Sequence, residues 1–253
     1  MSSRPRVLVI AGSDSSGGAG LLRDTQVLTQ FEVDARCAVT AVTAQTNTHV
    51  SAVHHVPPEL IRQQIKSALE TGEIAAIKIG MLGTRAAIQA VAESLPAPDR
   101  IPIVLDPVLM SSSGKSLLEK TGLNALRELL MPRVSLVTPN LPEAAALLEE
   151  EVATSEAGML DHAQRLLRFD VQAVLLKGGH ATGEESVDVL VTLSDPPIYM
   201  RAARRAATLR GTGCALSSAI AAGLALKMPL GAACERAKAY VWSEIQDDNA
   251  AVK

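Results

Sequence analysis

Short apolar runs alternate with longer amphipathic segments along almost the whole chain, and this alternation limits the possible folds more than any other feature. The runs are short enough to be buried strands, and they span 7–11, 37–44, 75–80, 101–106, 134–138 and 173–178. The segments between them place apolar residues at helical spacing, and many begin with Thr, Asn, Asp or Pro, as helix starts do. The pattern predicts an α/β fold with a mostly parallel sheet covered by helices on both faces.

The segment 186–200 interrupts this alternation, because two strand-like stretches are joined directly by a turn at 195–197. It predicts an antiparallel pair of strands. Two more helices, over 213–227 and 229–246, complete the pattern. Since no linker-like change of composition divides the chain, we predict a single domain over 1–253.

Composition and charge exclude several classes of function. With 24 Lys and Arg against 27 Asp and Glu, the net charge of −3 gives no basic surface for nucleic acid or for an anionic membrane. No apolar stretch is long enough to cross a bilayer. The three cysteines, Cys37, Cys214 and Cys234, lack any close pair spacing, which is typical of the reducing cytoplasm. We therefore expect a cytoplasmic protein that acts on a small molecule.

Several segments rich in small or polar residues follow predicted strands. They are AGSDSSGGAG (11–20), IGML (79–82), LDPVL (105–109), TPNLPE (138–143) and LKGGH (176–180). Because ligands of open α/β sheets bind at the carboxyl ends of the strands, these segments are expected to line one rim. The first lacks the G-x-G-x-x-G spacing of dinucleotide sites, but its glycines allow a ligand to approach the backbone closely.

Asn140 and Glu143 stand three residues apart at a predicted helix start, and their spacing leaves two interpretations open. An asparagine followed by an acid at the third helical position is typical of a capping box. Alternatively, both organise Mg²⁺ through water, because magnesium keeps several waters and needs only one or two protein oxygens. Asp106 is a further candidate ligand, and Lys177 is a candidate for neutralising phosphate charge.

The sequence GTGC (211–214) runs straight into a helix. Gly211 and Gly213 allow successive backbone N–H groups to point into one concavity at the positive end of that helix. Such a nest binds phosphate or stabilises the charge that develops in phosphoryl transfer. A glycine-rich helix start with a small buried cysteine is the structural alternative, and the motif alone leaves both open. At an anion site, Cys214 is expected to be a better thiolate than a free cysteine, whose pKa is about 8.5.

Taken together, these motifs resemble the phosphomethylpyrimidine kinase family, the thiamine-pathway branch of the ribokinase-like superfamily. They occur in the family's order, and the resemblance extends from about residue 7 to about residue 245. It implies a ribokinase-like three-layer αβα sandwich that uses ATP and Mg²⁺ to phosphorylate 4-amino-5-hydroxymethyl-2-methylpyrimidine. In many members the monophosphate is phosphorylated again to the diphosphate. A homodimer is the implied assembly.

The resemblance also implies roles for individual residues. Asp24 and Gln45, the latter within TAQTNT, would hydrogen-bond the pyrimidine, whose pocket Gly12, Met81 and Val108 would line. The residues implied to hold the phosphates of ATP and a water-coordinated Mg²⁺ are Asn140, Glu143, Asp106, Lys177 and Thr212. The implied anion hole consists of Gly211, Thr212, Gly213 and Cys214.

Cys214 occupies the position at which related sugar kinases carry a catalytic Asp. The resemblance implies that it accepts the proton of the substrate hydroxymethyl group as that oxygen attacks the γ-phosphorus. The sequence departs from the family pattern in two places. Arg210 stands where His is common, in a loop that usually helps to cover ATP, and the Gly-Pro and His-containing tail of many members is missing after the last helix.

Two alternatives accompany this hypothesis. A pyridoxal kinase of the same superfamily would use a similar rim and the same type of cysteine. A non-catalytic binding or redox-sensing protein, with Cys214 as its sensor, would need only the pocket. The joint presence of Asn140, Glu143, Lys177 and the GTGC nest favours a kinase over a sensor.

Overall fold

The computed structural model describes residues 4–97, 99–111, 114–179, 183–205 and 209–251, with only the backbone for 247–251. Within these residues, the strands β1 to β9 span Arg6–Asp14, Asp34–Gln45, Val50–His55, Ile74–Ile79, Ile103–Leu105, Leu136–Val137, Ala173–Leu176, Glu185–Thr192 and Ile198–Ala203. The helices α1 to α8 span Gly20–Gln30, Pro58–Glu70, Arg85–Ser94, Gly122–Ala125, Leu141–Leu148, Glu156–Leu166, Thr212–Ala225 and Leu230–Ala251. Helix α4 continues through a π-helical turn, Leu126–Leu130, and a 3₁₀ turn, Met131–Arg133, while the 3₁₀ turn Leu167–Phe169 follows α6.

All of these strands belong to one sheet, in the order β3-β2-β1-β4-β5-β6-β7-β8-β9. The pairs from β2 through β7 are parallel, whereas β3, β8 and β9 pair antiparallel at the two edges. The mostly parallel sheet and the antiparallel pair within 186–200 are therefore confirmed. One continuous sheet also supports a single domain over 1–253, which stays a prediction.

Helices cover both faces, and the sheet separates two apolar cores. Along β1, Leu8 and Ile10 pack with α2, α3, α5 and α6, whereas Val7 and Val9 pack with α1, α7 and α8. This division follows from the two-residue period of a strand, which sends successive side chains to opposite faces. The three-layer αβα sandwich is thus confirmed. No helix of the described part is both long and apolar enough to span a membrane.

The sequence patterns missed one strand and overestimated others. Strand β3 was not predicted, because it is an edge strand whose residues are mostly exposed and form no buried apolar pattern. Strands β5 and β6 contain only three and two residues, shorter than the apolar runs that predicted them. In each run two residues precede the strand, and only the last one, Asp106 or Thr138, follows it at the carboxyl edge, where both are buried.

Strand register brings distant residues together at that edge. The N–H of Asp106 donates to the carbonyl of Ile79 at 2.8 Å, and the N–H of Thr138 donates to that of Leu105 at 2.9 Å. Lys177 bridges to Asn140, and its N–H donates to the carbonyl of Pro139 at 2.9 Å. The ends of β5, β6 and β7 therefore place Asp106, Asn140 and Lys177 side by side.

Candidate active site

A cavity of about 1070 Å³ lies at the carboxyl ends of the parallel strands. Most of the predicted site residues line it. They are Gly12, Gln45, Met81, Asp106, Val108, Asn140, Glu143, Lys177, Gly211, Thr212, Gly213 and Cys214. The predicted residue that does not line the cavity is Asp24.

The nest at the start of α7 has the geometry predicted for GTGC. Gly211 is the N-cap with φ 71°, a left-handed conformation that favours glycine, and a Cβ there would lie 2.2 Å from the carbonyl oxygen of Gly18. A Cβ on Gly213 would lie 3.3 Å from the Nζ of Lys177. No side chain of the described residues caps α7, so its first N–H groups have no side-chain acceptor, and the residues that carry them line the cavity. A helix start of this kind attracts an anion.

A buried charge cluster faces the nest. The Nζ of Lys177 donates to Asp106 Oδ1 at 2.8 Å and lies 4.0 Å from Glu143 Oε2. The side chains of Lys177, Asp106 and Glu143 are 13%, 4% and 10% exposed. The ammonium group is therefore held in place by Asp106, between the strand ends and the helix N-terminus, where it can meet a phosphate.

Asn140 and Glu143 form the capping box. The Asn140 side chain accepts from the Glu143 N–H, and Glu143 accepts from the Asn140 N–H, both at 2.8 Å. Burial raises the pKa of the Glu143 carboxyl above its usual range, and the charge of Asp106 raises it further, while Lys177 opposes both. The capping interpretation is confirmed. It does not remove these residues from the site, because both line the cavity.

A magnesium ion would have few direct protein ligands here. The described residues contain no group of three or more His, Cys, Asp or Glu side chains that could hold a metal by themselves. Asp106 and Glu143 supply two carboxylates at the cavity wall beside Lys177. This donor set fits an ion that is held largely through water and substrate oxygens.

The prediction of a good thiolate at Cys214 is wrong. Cys214 is half-buried in the first turn of α7, where its sulfur accepts the N–H of Gly20. Burial raises the pKa of the thiol to about 11, and the carboxylates of Asp24 and Asp106 add to the effect of burial, against the charge of Lys78. Burial, which the GTGC motif by itself does not reveal, therefore outweighs the helix N-terminus in setting the pKa of this thiol.

The structure also corrects the role of Asp24, which was expected to hydrogen-bond the substrate. Its side chain is fully buried beneath the cavity floor, and its two oxygens accept from the Nζ of Lys78 at 2.9 and 2.8 Å. Ser218 donates to it at 2.8 Å. With its oxygens bonded to Lys78 and Ser218, Asp24 is a buried structural residue that does not line the cavity. The signal for its partner was present in the sequence, since Lys78 is a charge inside the apolar run 75–80.

One end of the cavity has apolar walls. Gly12 lies against Met81, whose sulfur would be 3.1 Å from a Cβ on the glycine, and Val108 adds a further apolar wall. Gln45 supplies an amide at this end, and its Oε1 accepts from Thr43 at 3.2 Å. These residues have the chemistry of an aromatic ring site with one amide for orientation.

The opposite end of the cavity contains residues that the sequence analysis missed. Asp188 accepts from the N–H of Gly178 at 2.9 Å and pairs with the Nζ of Lys238 at 2.9 Å, and it is buried. The guanidinium of Arg205 lies 4.0 Å from the ring centroid of Trp242. None of these residues follows a predicted parallel strand. The expectation that ligands bind at the carboxyl ends of such strands therefore did not point to them. His180, from LKGGH, lies outside the described residues.

A large cavity that combines apolar walls with a buried lysine beside an uncapped helix N-terminus suits an enzyme that moves a phosphoryl group between two small molecules. In combination with this sheet order and its two helical layers, it defines an α/β kinase of the ribokinase-like class. The model of one family, phosphomethylpyrimidine kinase, matches residues 14–253. The chain belongs to the phosphomethylpyrimidine kinase family.

Individual relatives and solved structures are similar to this chain over nearly its whole length. The hydroxymethylpyrimidine/phosphomethylpyrimidine kinase of Rhizobium meliloti is 40% identical over 94% of this chain and 89% of its own length. The crystal structure of phosphomethylpyrimidine kinase from Clostridium difficile aligns with a TM-score of 0.82 at 33% identity, covering 96% of this chain and all of that one (100%). Pyridoxal kinase from Staphylococcus aureus, solved with AMP-PCP and pyridoxal, aligns with a TM-score of 0.86 at 30% identity, over 96% and 88% of the two chains.

Proposed function

We propose that this protein transfers the γ-phosphoryl group of ATP to the hydroxymethyl oxygen of 4-amino-5-hydroxymethyl-2-methylpyrimidine, and then phosphorylates the monophosphate to the diphosphate, in thiamine biosynthesis. The observation that carries the proposal is the convergence on one cavity of Lys177, the uncapped start of α7 and Cys214. A non-catalytic sensor would not need the lysine at the helix terminus. The pyrimidine is favoured as substrate because the relative at 40% identity carries that name.

The chain's own groups would divide the work along the cavity. Gln45 would orient the pyrimidine between Met81 and Val108, with its hydroxymethyl group directed at Cys214. The first-turn N–H groups of α7 and the ammonium of Lys177 would stabilise the negative charge on the transferring phosphoryl group. Holding the two reactants in line accounts for most of the catalysis of such a transfer.

Cys214 would accept the hydroxymethyl proton. Because burial and two carboxylates raise the pKa of this thiol to about 11, only its thiolate fraction is competent as a base. That fraction grows with pH. The proposal therefore requires turnover to depend on pH in the neutral and mildly alkaline range.

We propose that ATP is the phosphoryl donor, with its phosphates at Asn140, Lys177 and Thr212. The relative solved with AMP-PCP supports an adenine nucleotide. Asp106, Glu143 and Asn140 would hold Mg²⁺, mostly through water. A bound Mg²⁺ neutralises charge on the β- and γ-phosphate oxygens.

The decisive experiment is to incubate the protein with ATP, Mg²⁺ and either the hydroxymethylpyrimidine or pyridoxal, and to identify the products by mass. We expect the mono- and diphosphates of the pyrimidine, and a higher kcat/KM for the pyrimidine than for pyridoxal. The pyridoxal-bound relative makes pyridoxal the second candidate substrate. A preference for pyridoxal would replace the first proposal with the second, and no product from either alcohol would reject both.

We further propose that the protein works as a homodimer in the cytoplasm. Its three cysteines are unpaired, which fits a reducing compartment. Light scattering coupled to size exclusion should give twice the mass of one chain. A single-chain mass at the concentrations of the assay would reject the dimer.

A further inference from the structure

Arg210 is the residue at which the sequence departs from the family pattern, and its side chain reaches across the acceptor end of the cavity. It directly precedes the nest glycine Gly211, it lines the cavity, and its side chain is only 14% exposed. A guanidinium has five N–H donors in a planar fork, so a nearly buried arginine can join several acceptors at once.

Its Nη1 reaches two loops that are far away in the sequence. It donates to the hydroxyl of Ser16 at 3.2 Å, in the loop between β1 and α1. It also donates to the carbonyl of Thr46 at 2.8 Å and to the Oδ1 of Asn47 at 3.3 Å, in the turn between β2 and β3. One side chain therefore links both loops to the start of α7.

The charge of the guanidinium is matched by a buried carboxylate. Arg210 Nη2 lies 3.5 Å from Asp14 Oδ2, and the Asp14 side chain is 5% exposed. The other oxygen of Asp14 accepts from the N–H and the hydroxyl of Ser16 at 2.9 and 2.8 Å. Arg210, Ser16 and Asp14 thus form a closed polar network that fixes the first of the two loops.

The packing agrees with these polar contacts. A Cβ on Gly18 would lie 3.7 Å from both the Cβ and the Nη1 of Arg210, so the arginine crosses this loop at van der Waals distance. Gly211 touches the same loop, because its Cβ position would lie 2.2 Å from the Gly18 carbonyl oxygen. The loop is held between the arginine and the nest.

The two loops that Arg210 links also hold Gln45, the residue proposed to orient the ring. The N–H of Gln45 donates to the hydroxyl of Ser15 at 2.8 Å, and that hydroxyl donates to the carbonyl of Gln45 at 3.0 Å. Arg210 binds the residues on either side of this pair, Ser16 and Thr46. We propose that Arg210 is a positioning residue that clamps these two loops together and so holds Gln45 in place for the acceptor alcohol, and not for ATP. This inference rests on the proposed function for its substrate and on the contacts for its geometry.

The test compares Arg210→Ala and Arg210→Lys with a matched control, Arg23→Ala. Arg23 is also nearly buried, at 11% exposure, and it pairs with one carboxylate, Glu244, but it does not line the cavity. For each variant, KM is measured for the alcohol and for ATP together with kcat, and amide hydrogen exchange is followed in peptides covering 14–18 and 44–48.

We expect Arg210→Ala to raise KM for the alcohol about tenfold, the fold-change for loss of one charge-assisted hydrogen bond from the ordered pocket, with kcat and KM for ATP within about twofold. Exchange should become faster in both loops. Arg210→Lys should fall between, because an ammonium keeps the charge near Asp14, but its single nitrogen cannot reach Asp14 and both loops at once. Arg23→Ala should lower thermal stability but should change neither KM for the alcohol nor amide exchange in the two loops.

Loops that exchange as slowly in Arg210→Ala as in the wild type would overturn the inference, as would equal rises in the two KM values. If Arg210→Ala does not fold, Arg210→Lys decides by the same two measurements. If the wild-type protein phosphorylates neither alcohol, the proposed function fails, and the exchange comparison alone decides whether Arg210 clamps the loops.

Discussion

At the scale of single residues, Cys214 shows how strongly the surroundings modify a motif. The start of a helix favours the thiolate form, and the sulfur also accepts the N–H of Gly20. Burial and the carboxylates of Asp24 and Asp106 act in the opposite direction and prevail. The thiol is therefore protonated at neutral pH. If Cys214 acts as the base, kcat/KM should rise with pH.

Replacing Cys214 tests this directly. Cys214→Ala should lower kcat by about 10²-fold or more, the usual contribution of a general base, while ATP still binds. Below the raised pKa, wild-type kcat/KM should rise about tenfold per pH unit between pH 7 and pH 9, because only the thiolate fraction is active. The rise should be absent in Cys214→Ala.

Cys37→Ala is the control, since Cys37 is exposed and lies outside the cavity, and it should retain wild-type turnover. A wild-type profile that is flat from pH 7 to pH 9, or an active Cys214→Ala protein, would remove Cys214 as the proton acceptor.

The buried pair of Asp24 and Lys78 gives a second prediction at this scale. Removing one partner leaves an uncompensated buried charge, so Asp24→Asn or Lys78→Met should lower the free energy of unfolding by about 3–5 kcal/mol. The double replacement Asp24→Asn, Lys78→Met, which leaves neither charge, should recover most of that loss. Urea denaturation measures all three, with Lys66→Ala, from an exposed pair with Glu70, as the control.

If the double variant is as unstable as the two single losses added together, Asp24 and Lys78 are not coupled as an ion pair. A stable Asp24→Asn protein with a raised KM for the alcohol would instead restore Asp24 as a substrate contact.

At the scale of elements, helix α7 connects the site to the core. Beyond its first turn nearly every residue is buried, and most are Ala, Ser or Gly. Small side chains let the helix approach its neighbours closely, as at Gly223, where a Cβ would lie 2.9 Å from the Cβ of Ala233. A helix fixed in this way along its length holds its N-terminal nest rigidly against Lys177.

Adding a methyl group to the nest tests that rigidity. Gly213→Ala places a Cβ about 3.3 Å from the Lys177 ammonium, which must then move by a few tenths of an ångström. Because transfer depends on exact positioning, this shift should lower kcat by roughly tenfold. Gly211→Ala should also lose stability, because it combines φ 71° with a clash against the Gly18 carbonyl.

Gly158→Ala is the matched control, since Gly158 lies within α6 and its Cβ would meet neighbours at an ordinary 3.4 Å. It should leave turnover unchanged and should not destabilise the protein. Turnover and thermal unfolding are measured for the three variants. Full turnover in Gly213→Ala would contradict the assignment of the nest to the transferring phosphoryl group.

At the scale of the whole molecule, the site is assembled at one edge of a single sheet from loops, strand ends and helices. The β1–α1 loop contributes the proposed acceptor end, the ends of β5 to β7 contribute the charge cluster, and α7 contributes the nest. These parts come from segments up to about 200 residues apart. The site therefore exists only when the sheet is complete.

A single cooperative unfolding transition should follow. The chain has one tryptophan, Trp242, in α8, whereas circular dichroism reports on all helices and strands. Both signals should change at the same urea concentration and give the same free energy of unfolding. Two separate transitions would contradict the single domain over 1–253.

The alternation of apolar and amphipathic segments was enough to predict the sandwich, and the placement of motifs after strands was enough to predict the rim. Both patterns are local, since they depend on side-chain periods of two and 3.6 residues. Strand β3 escaped prediction because an exposed edge strand carries no apolar period. Trp242 and Lys238 escaped because they line the cavity from a helix and not from a strand end.

What the sequence determined alone was therefore the class of fold and the set of loops that meet at the cavity. The tertiary structure decided which side chains face that cavity, so that Asp24 lies beneath its floor while Arg210 lies across one end. It also decided the protonation of Cys214. Electrostatic energies depend on the distance between charges and on their exclusion from water, and both are set by residues far apart in the chain.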